Sequence, residues 1–242
     1  MFELTISTSL DKQSYITTLY KNLLPEIKNA SGVVLKENND GRTFFTIAVN
    51  KEHKDYFLSK IIDHIVFMII DDYKFNFFKD RLVQENENVI YDSFLKAISI
   101  FDADIDRNII LKQLELKDVV LIDSLYHFKL QELKRRWQKT VDIILINQIL
   151  KSENSMLEIL KYLVAMSESG IQKADVVISQ KMLKLKHFDK TKNFKNTFSG
   201  ISSFFAEMIE LNPAKIDVKV VDDSDKKIVG MLSKIFYDKI NF

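Results

Sequence analysis

Three aspartates alternate through FDADIDRN, residues 101–108, and alternating carboxylates are what a calcium loop uses to surround a hard cation with oxygen. Such a loop also needs glycine at its sixth position and a bidentate carboxylate at its twelfth. Counted from Asp102, those places hold Arg107 and Gln113, and a neutral amide cannot replace the carboxylate. The cluster is better read as an aspartate capping the helix that follows. VVDDSDKK, near residue 223, is read the same way. His53, His64, His127 and His187 lack the HExxH or ExxH spacing that sets two ligands on one helical face, so each is expected at the surface or satisfied in the interior. Asp63, His64, Asp71 and Asp72 flank the most apolar run, IVFMII at 65–70, where a buried carboxylate would be perturbed. An enzyme built on them needs a pocket that reaches them. GxGxxG, GxxxxGK[ST] and GxSxG are all missing, and there is no cysteine. That excludes phosphate loops of those kinds, nucleophile elbows, thiolate chemistry and disulfides. No catalytic residue, metal ligand or cofactor is predicted.

The most purposeful stretch is LYHFKLQELKRRWQKTV, residues 125–141, which holds the only tryptophan. Taken as one helix, it sets Tyr126, Leu130, Leu133, Trp137, Val141 and Ile144 on one apolar stripe. Arg135 and Lys139 lie roughly opposite, with Lys134 and Arg136 on the flanks, where their stems cover apolar neighbours and their heads stay in water. Trp137 is therefore expected to be a core anchor with a solvated basic back. Phe128 does not fit, because it projects toward the basic side. Either a second layer of protein covers it, or it marks a docking surface. A second basic stretch, KMLKLKHFDKTKNFK at 181–195, interleaves six lysines with Phe188 and Phe194. A single-strand binder needs that mixture, charge for phosphates and rings for bases. An edge hairpin guarded by lysines has it too. The candidate interaction surface is Phe128, Lys129, Arg135, Arg136, Lys139, Lys184 and Lys186.

These side chains need a scaffold. Among 242 residues, Gly (5) and Pro (2) are scarce, which favours long helices and short loops. Hydrophobic residues at 46% and charged residues at 29% are ordinary for a folded domain, and 35 basic against 34 acidic residues argue for neither a nucleic-acid nor a membrane partner. MFELTISTSLDKQ lacks the basic and apolar regions of a signal peptide, and IVFMII is far shorter than the ~20 residues of a membrane span. A cytoplasmic location is expected. Residues 1–50 read as a mixed α/β segment: Phe2, Leu4 and Ile6 alternate with Glu3, Thr5 and Ser7, a helix carries Tyr15, Leu19, Leu23 and Ile27, and GVVLKE and RTFFTIAV flank Asn38-Asn39-Asp40-Gly41 as a hairpin. Residues 51–169 read as helical, with 54–82 able to run as one helix. In residues 170–242, ADVVIS pairs with KMLKLKHF across Ser179-Gln180-Lys181, NTFSGISSFFAEMIEL is helical, KIDVKVV is a strand and SDKKIVGMLSKIFYDKI closes as a helix. The fold class is α+β, a helical middle with strands and hairpins at both ends, either as three segments or as one continuous domain. Whether the terminal strands share a sheet is open.

One resemblance joins these parts. Asp123-Ser124-Leu125-Tyr126-His127-Phe128-Lys129-Leu130-Gln131-Glu132-Leu133, then Glu158-Ile159-Leu160-Lys161-Tyr162-Leu163-Val164, then Asp175-Val176-Val177-Ile178, resembles the YtxC-like family of sporulation proteins. The shared pattern is an acidic residue, an aromatic-basic-aliphatic helix start, a long charged helix, a leucine-rich helix and a valine-rich strand. Leu163 stands where an aromatic is more usual. The resemblance implies a role in endospore formation and supplies no catalytic residue or cofactor. The expected function is therefore binding rather than catalysis, with a protein partner and an open oligomeric state. The alternative is nucleic-acid binding through 125–141 and 181–195.

Overall fold

The alternation of Leu4 and Ile6 with polar residues makes Phe2–Ser9 a strand, β1, whose apolar side is fully buried. The computed structural model describes residues 1–83, 90–116, 118–179, 182–189, 192–198, 200–221 and 226–241, apart from the side chains of 182, 188, 189 and 192–195. After β1, Gln13–Asn29 forms α1, burying Ile16, Leu19, Leu23 and Ile27 at the predicted helical spacing. The hairpin follows as β2 (Val33–Asn39) and β3 (Arg42–Val49). Its turn narrows to Asp40 and Gly41, both at positive φ (48° and 73°), as a two-residue hairpin requires.

The long apolar run is α2 (Lys54–Met68), a π-helical turn (Ile69–Lys74) and α3 (Phe75–Arg81). Ile65, Val66, Met68, Ile69 and Ile70 are buried, as expected of a helix apolar almost all round, but Phe67 in the same run is 47% exposed. α4 (Tyr91–Phe101) and α5 (Ala103–Gln113) follow, and then a short strand, β4 (Val119–Leu121), interrupts the stretch expected to be helical throughout.

The basic stretch is not one helix. A short helix α6 (Ile122–Ser124) leads into a π-helical turn (Leu125–Lys129), the chain leaves helical geometry at Leu130, and α7 runs from Gln131 to Ile146. The stripe holds all the same: Leu130, Leu133, Trp137, Val141 and Ile144 are buried, and Tyr126 is half-buried. Phase survives the break because the wide turn and the single non-helical residue replace about one ordinary turn.

α8 (Glu153–Met166) precedes β5 (Ile171–Ser179), β6 (Met182–Asp189) and β7 (Lys192–Phe198). β7 takes Asn196–Phe198 from the predicted helix, so α9 begins at Ile201 and ends at Leu211. β8 (Pro213–Val220), α10 (Lys226–Ile235) and β9 (Ile240–Asn241) complete the chain. The closing helix is thus shorter than its apolar pattern suggested, and the aspartates of 222–225 lie outside the described residues. No described helix is long and apolar enough to cross a membrane.

The terminal strands form separate sheets, and the fold is α+β. Two compact units divide the chain: residues 1–74 with 103–138, and residues 75–102 with 139–242. In the first, strand order is β2-β3-β1-β4, antiparallel except that β4 runs parallel to β1. Helix α1 packs on one face of this sheet.

In the second unit, order is β7-β6-β5-β8-β9, with β5, β8 and β9 parallel. Leu183, Leu185 and His187 are buried on one side of β6, and Lys184 and Lys186 lie on the other. Asn212 closes α9 in the left-handed region (φ 36°). Its Nδ2 donates to the carbonyls of Val164, Ser167 and Glu168 at 3.3, 3.0 and 3.1 Å, and its Oδ1 accepts from Lys239 Nζ at 2.7 Å. Asn212→Gly keeps the backbone freedom and removes those bonds, so thermal unfolding should show a loss of about 1–3 kcal/mol.

Candidate interaction site

The sequence drew attention to the carboxylates, and several of them are held by named partners. Asp123 follows β4 and accepts five hydrogen bonds. Tyr73 Oη (2.6 Å), Ser9 Oγ (3.1 Å) and Thr8 Oγ1 (3.3 Å) reach Oδ1, while Arg42 Nη2 (2.7 Å) and the Ser9 amide (3.0 Å) reach Oδ2. Burial pushes this carboxyl up, but the bonds from Tyr73, Arg42 and Ser9 outweigh it and hold Asp123 below the usual carboxylate range. The Tyr73 phenol is driven the other way, by burial and by its bond to Asp123. Five donors fill the roughly four lone-pair positions of a carboxylate, so Asp123 has no vacancy for a substrate proton. It locks the ends of β1 and β3 to the segment after β4.

The other acids are also engaged. Asp63 pairs with Arg107 at 2.5 Å at the surface, Asp71 accepts from Tyr15 Oη at 2.7 Å and Asp72 meets Lys12 Nζ at 2.5 Å. His64 donates from Nε2 to the Tyr15 carbonyl at 2.8 Å, and burial lowers its pKa. Asp102 directly precedes α5, the position a cap would take, and Asp106 has a different role. It lies inside α5, 1% exposed, with Lys74 Nζ 2.6 Å from Oδ2 and Trp137 Nε1 donating to the same oxygen at 3.1 Å. The indole is the predicted core anchor, 2% exposed, with a buried ion pair beside it that no sequence pattern announced.

An open surface lies on the other side of the same sheet. Strand register puts three rows of side chains on this side: Val33, Ala48 and Glu3; Leu35, Thr46, Thr5 and Val119; Glu37, Phe44, Ser7 and Leu121, of which Ser7 is fully buried and accepts from Arg42 Nε at 2.9 Å. A sheet with one covered face normally turns polar side chains outward. Here Val33 and Leu35 are each 58% exposed, Val119 is 52% and Leu121 is 40%. The Thr5 and Thr46 hydroxyls bond to each other at 2.9 Å, which spends their polarity internally.

Beside β4 this face continues into a cavity of about 250 Å³ lined by Leu114, Val119, Val120, Leu125, Phe128 and Lys129, among others. Phe128 is 77% exposed and is not covered by a second layer of described residues. Lys129 pairs with Glu115 across 2.7 Å.

The predicted surface residues divide between the units. Phe128, Lys129, Arg135 and Arg136 belong to the first, and Lys139, Lys184 and Lys186 to the second. Arg135 is exposed and Arg136 half-buried on α7, while Lys139 and Lys186 are exposed and Lys184 half-buried. The side chains of Phe188 and Phe194 lie outside the described residues. Sequence reading missed Val33, Leu35, Val119 and Leu121. The alternation in VVLKE signalled that Val33 and Leu35 share a face, but only the strand order shows that this face is open and continuous with β4.

These features define a two-unit α+β chain in which Asp63, Asp71, Asp72, Asp106 and Asp123 are tied into structural pairs and whose first sheet carries an exposed apolar face. None of the protein-family models, curated proteins or solved structures compared with the chain matches it.

Proposed function

We propose that this protein acts by binding another protein through the outward face of its first sheet and the adjoining groove at Phe128. The observation that carries the reading is the exposure of Val33, Leu35, Val119, Leu121 and Phe128 on one continuous surface. Apolar patches of this kind mark interaction sites. The biological setting rests on the YtxC-like pattern in residues 123–133, 158–164 and 175–178, which supports a role in endospore formation inside the cell.

The test is affinity capture from source cells. A variant carrying Leu35→Asp and Val119→Asp should fold normally, since both positions are more than half exposed, and should lose the partners retained by the unaltered chain. Identical captured sets from the two proteins would remove the reading.

Nucleic-acid binding stands second, favoured by one observation. Lys184 and Lys186 share their sheet face with Lys173, Lys215 and Lys219, placed there by the register of β5, β6 and β8. Asp175 and Asp217 lie among them, and Lys173 bridges both at 3.0 and 2.7 Å, which weakens the net charge of that face.

A further inference from the structure

The outward face of the first sheet is a trough. Its walls are the apolar side chains of the two edge strands, Val33 and Leu35 on β2, Val119 and Leu121 on β4. Its floor, on β3 and β1, is made of small residues, Ala48, Thr46 and Thr5, with Phe44 closing one end. Three inter-strand steps separate the walls, roughly 14 Å. An α-helix with its side chains is about 10–12 Å across.

We infer that this trough receives an amphipathic helix from a partner protein, laid along the strands with its apolar stripe on the threonine floor. This rests on the binding reading above and names the kind of partner. Area separates a helix from a second copy of the chain. The outward rows run from Glu3 to Ser7 on β1, and the β4 wall faces only Thr5–Ser7, so the trough is about 17 Å long and its projected area roughly 240 Å², about a third of the ~800 Å² each partner gives to a stable dimer. Charge narrows the helix further. Among the described residues, the exposed ionisable side chains in the outward rows are Glu3 and Glu37; beside β4, Lys129 and Glu115 pair with each other, and the Arg42 guanidinium is engaged with Asp123 and Ser7. Carboxylates at the border select a helix with lysine or arginine on its flanks.

The experiment uses the full chain and two labelled synthetic peptides of about 18 residues. Both carry Leu and Ile at helical spacing; one has Lys on its flanks and the other Glu. Fluorescence anisotropy should show the Lys-flanked helix binding at least tenfold more tightly than the Glu-flanked one. Leu35→Asp or Val119→Asp should each weaken it at least tenfold with the circular dichroism spectrum unchanged. Glu3→Lys with Glu37→Lys should reverse the preference between the peptides. Absence of binding, or equal binding by the Leu35→Asp variant, overturns the inference. Self-association in sedimentation that Leu35→Asp abolishes also overturns it, because a second copy then covers the trough. If neither helix binds yet cellular capture still depends on Leu35 and Val119, the helix is lost and the binding reading stands. If capture is also indifferent to both positions, the two fall together.

Discussion

Lys74→Met is expected to lower the stability of the fold by about 3–5 kcal/mol, a large part of the ~5–15 kcal/mol that holds a typical domain together. The ammonium is 2% exposed and its partner Asp106 1% exposed, 2.6 Å apart. Removing the cation leaves a carboxylate in a medium that solvates it poorly, helped only by the Trp137 N–H and whatever the chain can rearrange. Asp106→Leu alone should cost a similar amount by taking away the carboxylate that pairs with the buried ammonium. Lys74→Met with Asp106→Leu should cost much less than the sum, because both charges leave together and two apolar side chains of similar volume fill the space. The residual loss is the Trp137 donor without this acceptor, about 1–3 kcal/mol. Urea titrations of the four proteins give the coupling directly. If the single losses simply add, the ion pair is not the unit of stability at this place.

The second large effect belongs to Asp123. Asp123→Asn keeps the shape but removes the charge that Arg42, Tyr73 and Ser9 converge on, and the amide's NH2 group meets donors where an oxygen accepted. A loss of about 2–3 kcal/mol follows, less than for the fully buried pair because Asp123 and Arg42 retain some solvent. Acid should expose the same group. Its carboxyl titrates below the ordinary value of 3.8 in the folded chain. Its contribution is therefore complete above that value and is lost as pH falls from about 4 through the lower folded value. Below about pH 4 the unaltered protein should lose stability more steeply than Asp123→Asn, which lacks the titrating group. Parallel slopes would show that other carboxylates dominate acid unfolding.

Much of this architecture was legible from residue patterns. Alternation located β1, β2, β3, β5, β6 and β8, and helical spacing located the buried sides of α1 and α7, because burial on one face leaves a periodic trace in one dimension. β4 left none: three residues, Val119–Leu121, have no room for a period, yet they set the width of the exposed face. Leu130 broke the predicted helix at a residue with high helix propensity, and no proline or glycine there warns of it. Lys74 and Asp106 were invisible for another reason. Both sit in charged-looking stretches, and only three-dimensional proximity turns two surface residue types into an interior pair. Phe128 was found because it violated its helix pattern. Val33 and Leu35 obeyed theirs, and which side of a strand stays uncovered is a property of the sheet.

The interleaved assignment of the chain to its two units constrains how they are made. Residues 75–102 emerge from the ribosome before the first unit has its final stretch, 103–138, and wait for 139–242 before their own unit is complete. The first unit can close during synthesis, whereas α3 and α4 must be carried meanwhile as a loop with Phe77, Phe78, Phe94 and Leu95 still without most of their partners. For the same reason no single cut separates the two units: one after residue 138 keeps the first complete but takes 75–102 from the second, and chaperone dependence should concentrate in that early-born segment.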